Sequence, residues 1–380
     1  MKIVVNTRLL LKNRMEGIGW FAFETLKRIT QQHPEHTFYF IFDRPYSNEF
    51  VFADNVKPIV ISPPARHPIL WYLWFEWSLP NVLKVIKPDV FVSPEGYLTL
   101  RTDIPQVNVM HDIAYEHYPE TVPWLVRKYY RYYFPKFARK AKVVATVSEF
   151  SRQDIIKYYQ IPAEKIKVVY NGINENFHEV PETEKLQTRQ KWSSGKPYFV
   201  FVGGLQPRKN LQKLIEAFII FKERSASDFK LLLVGKSAYK SNELEAFSRQ
   251  SIYAEDIIFT GRVESQAELN KIISASYAMT YVSVFEGFGI PCLEAMKCGT
   301  AVITSNTSSM PEVCGDAALY VDPHNIESIA DGLFKLASDK NLREELIVLG
   351  KIQSQKFSWQ KTADMFYAII NDQLSMINKQ

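Results

Sequence analysis

The sequence predicts an α/β protein built from two doubly wound, Rossmann-like domains that face each other across a cleft. Three observations carry this. Short, near-continuous runs of Val, Ile, Leu and Phe alternate with amphipathic segments, the pattern of parallel strands covered by helices on both faces. The strand–helix alternation occurs twice, once for each sheet. Between the two series lies a polar, turn-rich stretch at 171–197 with no strong hydrophobic period. A chain of 380 residues also exceeds what one hydrophobic core ordinarily serves.

In the first half, strands are expected at 2–6 ("KIVVN"), 37–43, 89–93, 106–110, 143–147 and 166–170. Each is a five- to seven-residue run rich in β-branched or aromatic side chains. Helical spacing of apolar residues falls between them, at about 17–31, 69–86, 123–141 and 149–160. The second half repeats the scheme, with strands at 198–203, 229–235, 256–261, 278–284, 301–305 and 318–322. Its intervening helices are expected at about 209–224, 242–251, 265–276 and 290–298. After about 324 the pattern is wholly helical. The last helix, from "FSWQKTADMFYAII", lies beyond the final strand and is expected to cross back to the first domain. The expected division is therefore 1–180 with 358–380, and 181–357.

Composition excludes some classes. With 46% hydrophobic and 23% charged residues the chain is an ordinary globular one. No apolar run approaches the ~20 residues of a membrane span. The start, "MKIVVNTRLL", reads as a strand rather than a secretion signal. Net charge is +5; residues 1–180 hold 23 Lys+Arg against 18 Asp+Glu, and the rest is balanced at 23 each. That is too mild for a dedicated nucleic-acid binder, but it can turn one domain toward an anionic surface. Cys292, Cys298 and Cys314 lack zinc-type spacing, so a reduced, cytoplasmic setting is expected.

In doubly wound sheets ligands collect beyond the C-terminal ends of the strands, and four post-strand segments stand out. "EGFGIPCLEAMKCG" begins at Glu286. Gly287 and Gly289 bring bare backbone to a helix start marked by Pro291, a setting that attracts anions or sugar hydroxyls. Glu294 follows one turn inside. Alone, it is accounted for by the helix dipole; the whole spacing is not. "VGGLQPRKN" places Arg208 and Lys209 after a glycine turn, which suits a diphosphate or, taken alone, a solvated surface. It matches neither the Walker A nor the G-x-G-x-x-G pattern. "NVMHDIAYEHYPE" puts His111 and Asp112 at a strand end, as a reactive group or as a structural histidine beside a turn aspartate. "GIGWFAFETL" offers Gly17 and Gly19, for close approach of a ligand or simply for a turn.

These segments together resemble retaining glycosyltransferase family 4. "EGFGIPCLEAMKCGTAVITSNTSSMPEV" is similar to its signature almost throughout. "HDIAYEHYPE", "TVSEFSRQDI", "VVYNGIN", "VGGLQPRKNLQKLIEAF" and "FSWQKTA" fall in the expected order. The resemblance implies the GT-B fold, a nucleotide-diphosphate sugar as donor, and no cofactor. It implies that Glu294 binds the donor ribose. Glu286 and the backbone of Gly287, Phe288, Gly289 and Ile290 would hold the sugar. Lys209 and Arg208 would neutralise the diphosphate, and the loop at Gly17 and Gly19 would close on it. His111 would lie beside the transferred sugar. Arg262 and Val263 would meet the base through backbone. Relatives often carry Gly-Arg where this chain has Gly203-Gly204, so Arg208 supplies that charge or the site is weaker.

Within the resemblance the expected reaction is hexose transfer with retention of configuration, from GDP-mannose or a UDP-hexose. The acceptor would be a glycan or a lipid-linked chain in surface polysaccharide synthesis. No D-x-D triplet occurs, and metal independence is expected. The alternatives are a GT-B phosphorylase or synthase, or a catalytically silent partner subunit. Finally, "WLVRKYYRYYFPKFARKAK" (124–142) interleaves cations with aromatics. It reads as a helix packing its rings on the first sheet, or as a peripheral contact with the inner face of the plasma membrane. Single-stranded nucleic acid is set aside as its partner.

Overall fold

In the computed structural model, which describes residues 1–236 and 241–377, the apolar runs become strands of two separate, wholly parallel sheets. The first contains β1 (Lys2–Asn6), β2 (Thr37–Phe42), β3 (Val56–Val60), β4 (Val90–Ser93), β5 (Gln106–Val109), β6 (Val143–Thr146) and β7 (Ile166–Val168). Their order is β3-β2-β1-β4-β5-β6-β7. β1 is central: Val4 is in register with Tyr39 on one side and Phe91 on the other. Ile3, Val4 and Val5 are buried accordingly, which is why this run shows no polar alternation.

The second sheet contains β8 (Tyr198–Val202), β9 (Lys230–Val234), β10 (Ile257–Gly261), β11 (Ala278–Tyr281), β12 (Ala301–Ser305) and β13 (Leu319–Val321). Its order, β10-β9-β8-β11-β12-β13, repeats that of the first. In each sheet the winding reverses beside the first strand, between β1 and β4 and between β8 and β11. Crevices at such reversals are where doubly wound sheets bind ligands.

The chain divides into two compact units, Met1–Gly172 with Ser358–Gln380, and Ile173–Phe357. Residues 378–380 of the expected 358–380 segment lie outside the described residues. The boundary corrects the expected one at 180. Phe177 and Val180 are buried; His178 N–H donates to Asn270 Oδ1 (2.9 Å) and Val180 N–H to Ser274 Oγ (3.0 Å). These bonds tie 173–180 to the second unit. The helix Trp359–Ile377 returns to the first unit, as expected. Its Phe366 and Trp359 rings lie 5.5 and 6.5 Å from Phe21, and Thr362 Oγ1 donates to the Tyr170 carbonyl at 2.7 Å.

Two further elements depart from expectation. β3 was not anticipated, because Lys57 and Pro58 interrupt its apolar run; it is an edge strand, where proline is tolerated. The stretch at 171–197 contains a helix, Glu182–Ser193, which buries only Thr188 and Ser193 and so carries no apolar stripe.

The expected helix at 69–86 is Pro68–Leu73 and Leu79–Ile86 joined by a π-helical turn, Trp74–Ser78. The extra residue per turn sends Trp74 and Phe75 into the core and leaves Trp77 exposed. The helix Trp124–Lys140 packs Tyr129, Phe134 and Phe137 into the same core. The ring-packing reading of 124–142 therefore holds for one face, while Trp124, Leu125 and Tyr132 remain exposed. No described helix is long and apolar enough to cross a membrane.

Candidate active site

The second unit gathers most of the expected site residues around the reversal between β8 and β11. Close approach of backbone makes this possible. A Cβ on Gly235, just after β9, would lie 1.7 Å from the Gly203 carbonyl oxygen, so the loop leaving β8 can cross it only because residue 235 is glycine. The loop then forms a 3-10 turn, Pro207–Lys209. Asn210, at φ +60°, ends the turn; its Nδ2 donates to the carbonyls of Val282 (3.1 Å) and Pro323 (2.7 Å). The Val284 N–H donates to the Arg208 carbonyl at 3.0 Å. Residues 207–210 are thus stitched to the chain leaving β11.

This stitching brings two cations onto one carboxylate. Lys209, only 7% exposed, donates from Nζ to Glu286 Oε1 at 2.5 Å and to the Tyr281 hydroxyl at 2.6 Å. Arg208 Nη1 lies 3.0 Å from Glu286 Oε2 and donates to the Phe285 carbonyl at 3.0 Å. Glu286 is 5% exposed. Burial pushes its carboxyl up, but Arg208 and Lys209 together outweigh this and hold it at about 2. It is ionised at any physiological pH.

The rest of the glutamate motif is a rigid turn into the helix Ile290–Lys297, with Pro291 in the first turn. Gly289, the cap, has φ +99°, and a Cβ there would sit 2.2 Å from Met310 Cε. Both conformation and space require glycine. Ser309 Oγ bonds the carbonyls of Glu286 (2.9 Å) and Phe288 (3.1 Å), and the Glu286 N–H donates to Ser308 Oγ at 3.2 Å. The Phe288 ring is buried edge-on against Phe357. Glu294, one turn inside the helix, is half-buried. Among the described residues no hydrogen bond or ion pair engages its carboxylate, and burial raises it to about 7. The two glutamates of one motif are therefore in opposite states: Glu286 is fully paired, and Glu294 is open.

Arg262 and Val263 follow β10. The Arg262 side chain is exposed and lies 3.2 Å from Glu264, so its charge is directed at Glu264. At this strand end a cavity of about 460 Å³ is lined by Leu205, Gly235, Ser248, Phe259, Thr260 and Gly261, within the size range of small-molecule sites.

In the first unit, His111 follows β5 and is half-buried. Its Nε2 is 2.9 Å from the Pro94 carbonyl, which can only accept, so Nε2 carries the proton and Nδ1 a lone pair. Burial lowers the His111 pKa, and the ring is neutral at pH 7. It packs edge-on against Phe21, centroids 5.0 Å apart, on the helix Gly17–Gln32. Gly17 and Gly19 begin that helix; a Cβ on Gly17 would meet nothing within 4 Å, whereas on Gly19 it would lie 3.0 Å from the Leu9 carbonyl. Asp112 accepts from the Ala114 N–H at 3.0 Å, the turn role.

Two groups escape the sequence reading. Tyr281 is one; the only signal was a tyrosine near the end of an apolar run five residues before Glu286. The other is Arg8, which makes a bidentate pair with Glu95 at 2.9 and 2.6 Å. Arg8 follows β1 and Glu95 follows β4, so this pair occupies the reversal of the first sheet.

Residues 15–177 match the model of Glycosyltransferase Family 4, and residues 182–352 that of Glycosyl transferases group 1. The chain is 26% identical to O-antigen chain mannosyltransferase B of Escherichia coli over 373 residues, which is 95% of this chain and 97% of that protein. It is 30% identical to O-antigen chain mannosyltransferase RfbU of Salmonella typhimurium over 292 residues, 74% of this chain and 76% of that one. The Anabaena protein HepE, solved in complex with UDP and glucose, superposes with a TM-score of 0.75 at 17% identity, covering 98% of this chain and 99% of its own. That likeness shows a shared fold.

Proposed function

We propose a reaction from one premise: the chain belongs to the group 1 glycosyltransferases, glycosyltransferase family 4. It transfers a hexose with retention of configuration, mannose from GDP-mannose before any UDP-hexose, to a glycan or lipid-linked acceptor of a surface polysaccharide. The observation that carries this reading is the convergence of Arg208 and Lys209 beside Glu286, with the open carboxylate of Glu294 on the same motif. Two cations suit a diphosphate, and an open, partly buried carboxylate suits a ribose diol. The names of the two O-antigen mannosyltransferases support mannose and a polysaccharide product.

In this mechanism the C1–O bond to the β-phosphate breaks while the acceptor oxygen bonds C1 from the same face. The acceptor proton passes to the departing phosphate oxygen. Negative charge grows on the leaving diphosphate, and Lys209 and Arg208 stabilise it electrostatically. Two fixed side-chain cations at that point make metal independence part of the reading. Glu294 holds the ribose, the backbone of 287–290 faces the sugar, and the cavity at the end of β10 takes the base. His111, neutral with Nδ1 as acceptor, is a hydrogen-bonding group that the first unit can offer to a sugar hydroxyl. The exposed aromatics and cations of 124–142 provide a peripheral contact with anionic membrane, where a lipid-linked acceptor would be met.

A thermal-shift panel of GDP, UDP and ADP with their sugars tests the donor. Selective stabilisation by GDP and GDP-mannose is expected; stabilisation by UDP alone overturns the choice. Lys209→Ala is expected to lower transfer by about 100-fold or more with the fold intact. Near-normal turnover of that variant would sink the phosphate role.

A further inference from the structure

The cations assigned to the donor's diphosphate already have an anion. Glu286 takes Lys209 on one carboxylate oxygen (2.5 Å) and Arg208 on the other (3.0 Å). Lysine and carboxylate are both nearly inaccessible, and two cations left there without a counter-charge would be costly. A diphosphate entering this point does not fill a waiting site; it competes with a carboxylate.

We propose that donor binding is an anion exchange: the diphosphate displaces Glu286 from Lys209 and Arg208, and Glu286 reclaims them after transfer. This rests on the donor reading above. Its physical basis is unequal charge. A diphosphate brings more negative charge and more acceptor oxygens than one carboxylate, so it wins both cations when it arrives. Glu286 is then left buried and ionised and must find new donors. A hexose on the diphosphate supplies hydroxyl groups to it; a bare nucleoside diphosphate does not. The exchange therefore favours the sugar-bearing donor over the spent nucleotide, and the unpaired carboxylate pulls the cations back when the sugar has gone. Glu286 in this scheme both receives the sugar and helps expel the product.

Tyr281 is the positioning residue of the exchange. Its hydroxyl accepts from Lys209 Nζ at 2.6 Å, and the ammonium lies 4.9 Å from its ring centroid. It sits at the end of β11 and is buried, so it is held by the sheet rather than by the loop. It stays with Lys209 whichever anion is bound.

Calorimetric titration of the full chain with GDP and with inorganic diphosphate tests this in wild type, Glu286→Gln and Tyr281→Phe. Glu286→Gln keeps the shape and removes the competing charge. It is expected to bind both ligands at least ten-fold more tightly and to release GDP more slowly in stopped flow, although its transfer falls. Tyr281→Phe is expected to bind both several-fold more weakly, to raise KM for donor more than it lowers kcat, and to melt as wild type does. Unchanged or weaker diphosphate affinity in Glu286→Gln overturns the exchange, and an unchanged KM in Tyr281→Phe overturns the positioning role. If wild type binds no nucleoside diphosphate at all, the donor reading fails. The inorganic diphosphate arm still decides the exchange, for or against, by whether Glu286→Gln gains affinity.

Discussion

Arg8 and Glu95 close a bidentate ion pair where β1 and β4 diverge, the same topological place that Lys209 and Glu286 occupy between β8 and β11. Each unit thus seals its crevice with a buried cation and carboxylate. In the first unit the guanidinium also lies 4.7 Å from the Tyr97 ring centroid, and Asn6 Nδ2 donates to Glu95 at 2.6 Å. Burial opposes the charge on Arg8, but Glu95 outweighs it and the pKa is raised.

Removing one partner leaves the other charged and buried. Glu95→Ala is expected to cost about 3–5 kcal/mol in chemical denaturation. The double variant Arg8→Met/Glu95→Leu removes both charges and should recover most of that. A Glu95→Ala protein as stable as wild type would show that the pair carries no structural weight.

Glu294 gives a pH dependence with a definite sign. Its carboxyl is raised from 4.5 to about 7 by burial, so the folded protein keeps the proton longer than the unfolded chain does. Stability of the ligand-free protein from this group is full below 4.5 and is lost as pH rises through about 7. In the proposed ribose-binding role Glu294 runs the other way, because the ionised form is the stronger acceptor. Affinity for GDP-mannose, whose phosphates do not titrate near neutrality, is expected to rise between about pH 6 and 8. Glu294→Gln should flatten that rise and weaken binding by about ten-fold or more. A pH step that survives in Glu294→Gln would assign it to another group.

Gly289→Ala introduces two separable strains, a side chain at φ +99° and a clash with Met310 Cε at 2.2 Å. A loss of about 1–3 kcal/mol is expected, read as a lower Tm. Adding Met310→Ala relieves the clash but not the backbone strain. The pair of changes should therefore be less than additive, and strict additivity in a double-mutant cycle would mean the two residues do not meet.

The exposed side of the first unit invites a vesicle experiment. Trp77 is 50% and Tyr132 59% exposed. The Arg101 guanidinium lies 4.0 Å from the Trp77 ring centroid, and the Lys136 ammonium 3.2 Å from that of Tyr132. Arg101 also donates to the Tyr72 hydroxyl at 3.3 Å, and the rings of Tyr72, Tyr133 and Tyr132 follow one another. The belt thus joins 68–86 to 124–142. Flotation with anionic vesicles is expected to retain the protein at low salt. Arg101→Glu and Lys136→Glu should each weaken retention by about five-fold or more. Flotation that fails, or that ignores salt and both variants, removes the membrane contact.

Most of the fold was legible because parallel strands buried on both faces write themselves as unbroken apolar runs. β3 was not, since its signal is cut by Lys57 and Pro58 and its place at the sheet edge is a tertiary fact. The helix Glu182–Ser193 lacks an apolar stripe and is invisible to periodicity. Glu286, Lys209 and Arg208 could each be named from their segments, but their mutual pairing could not. It depends on Asn210 stitching two loops some 72 residues apart in sequence. The different states of Glu286 and Glu294 are equally a matter of surroundings: the same residue type is held at about 2 by two cations and raised to about 7 where none is near.

The return of the helix Trp359–Ile377 to the first unit also sets an order of events on the ribosome. The second unit is continuous, and everything it needs emerges in one stretch. The first is not: the face of helix Gly17–Gln32 that carries Phe21 is covered by Trp359 and Phe366, made only after Ile173–Phe357 has been translated. At ordinary elongation rates that is a wait of about ten seconds or longer. During it the nascent chain holds a nearly finished N-terminal half with an uncovered apolar stripe, the kind of surface a chaperone guards.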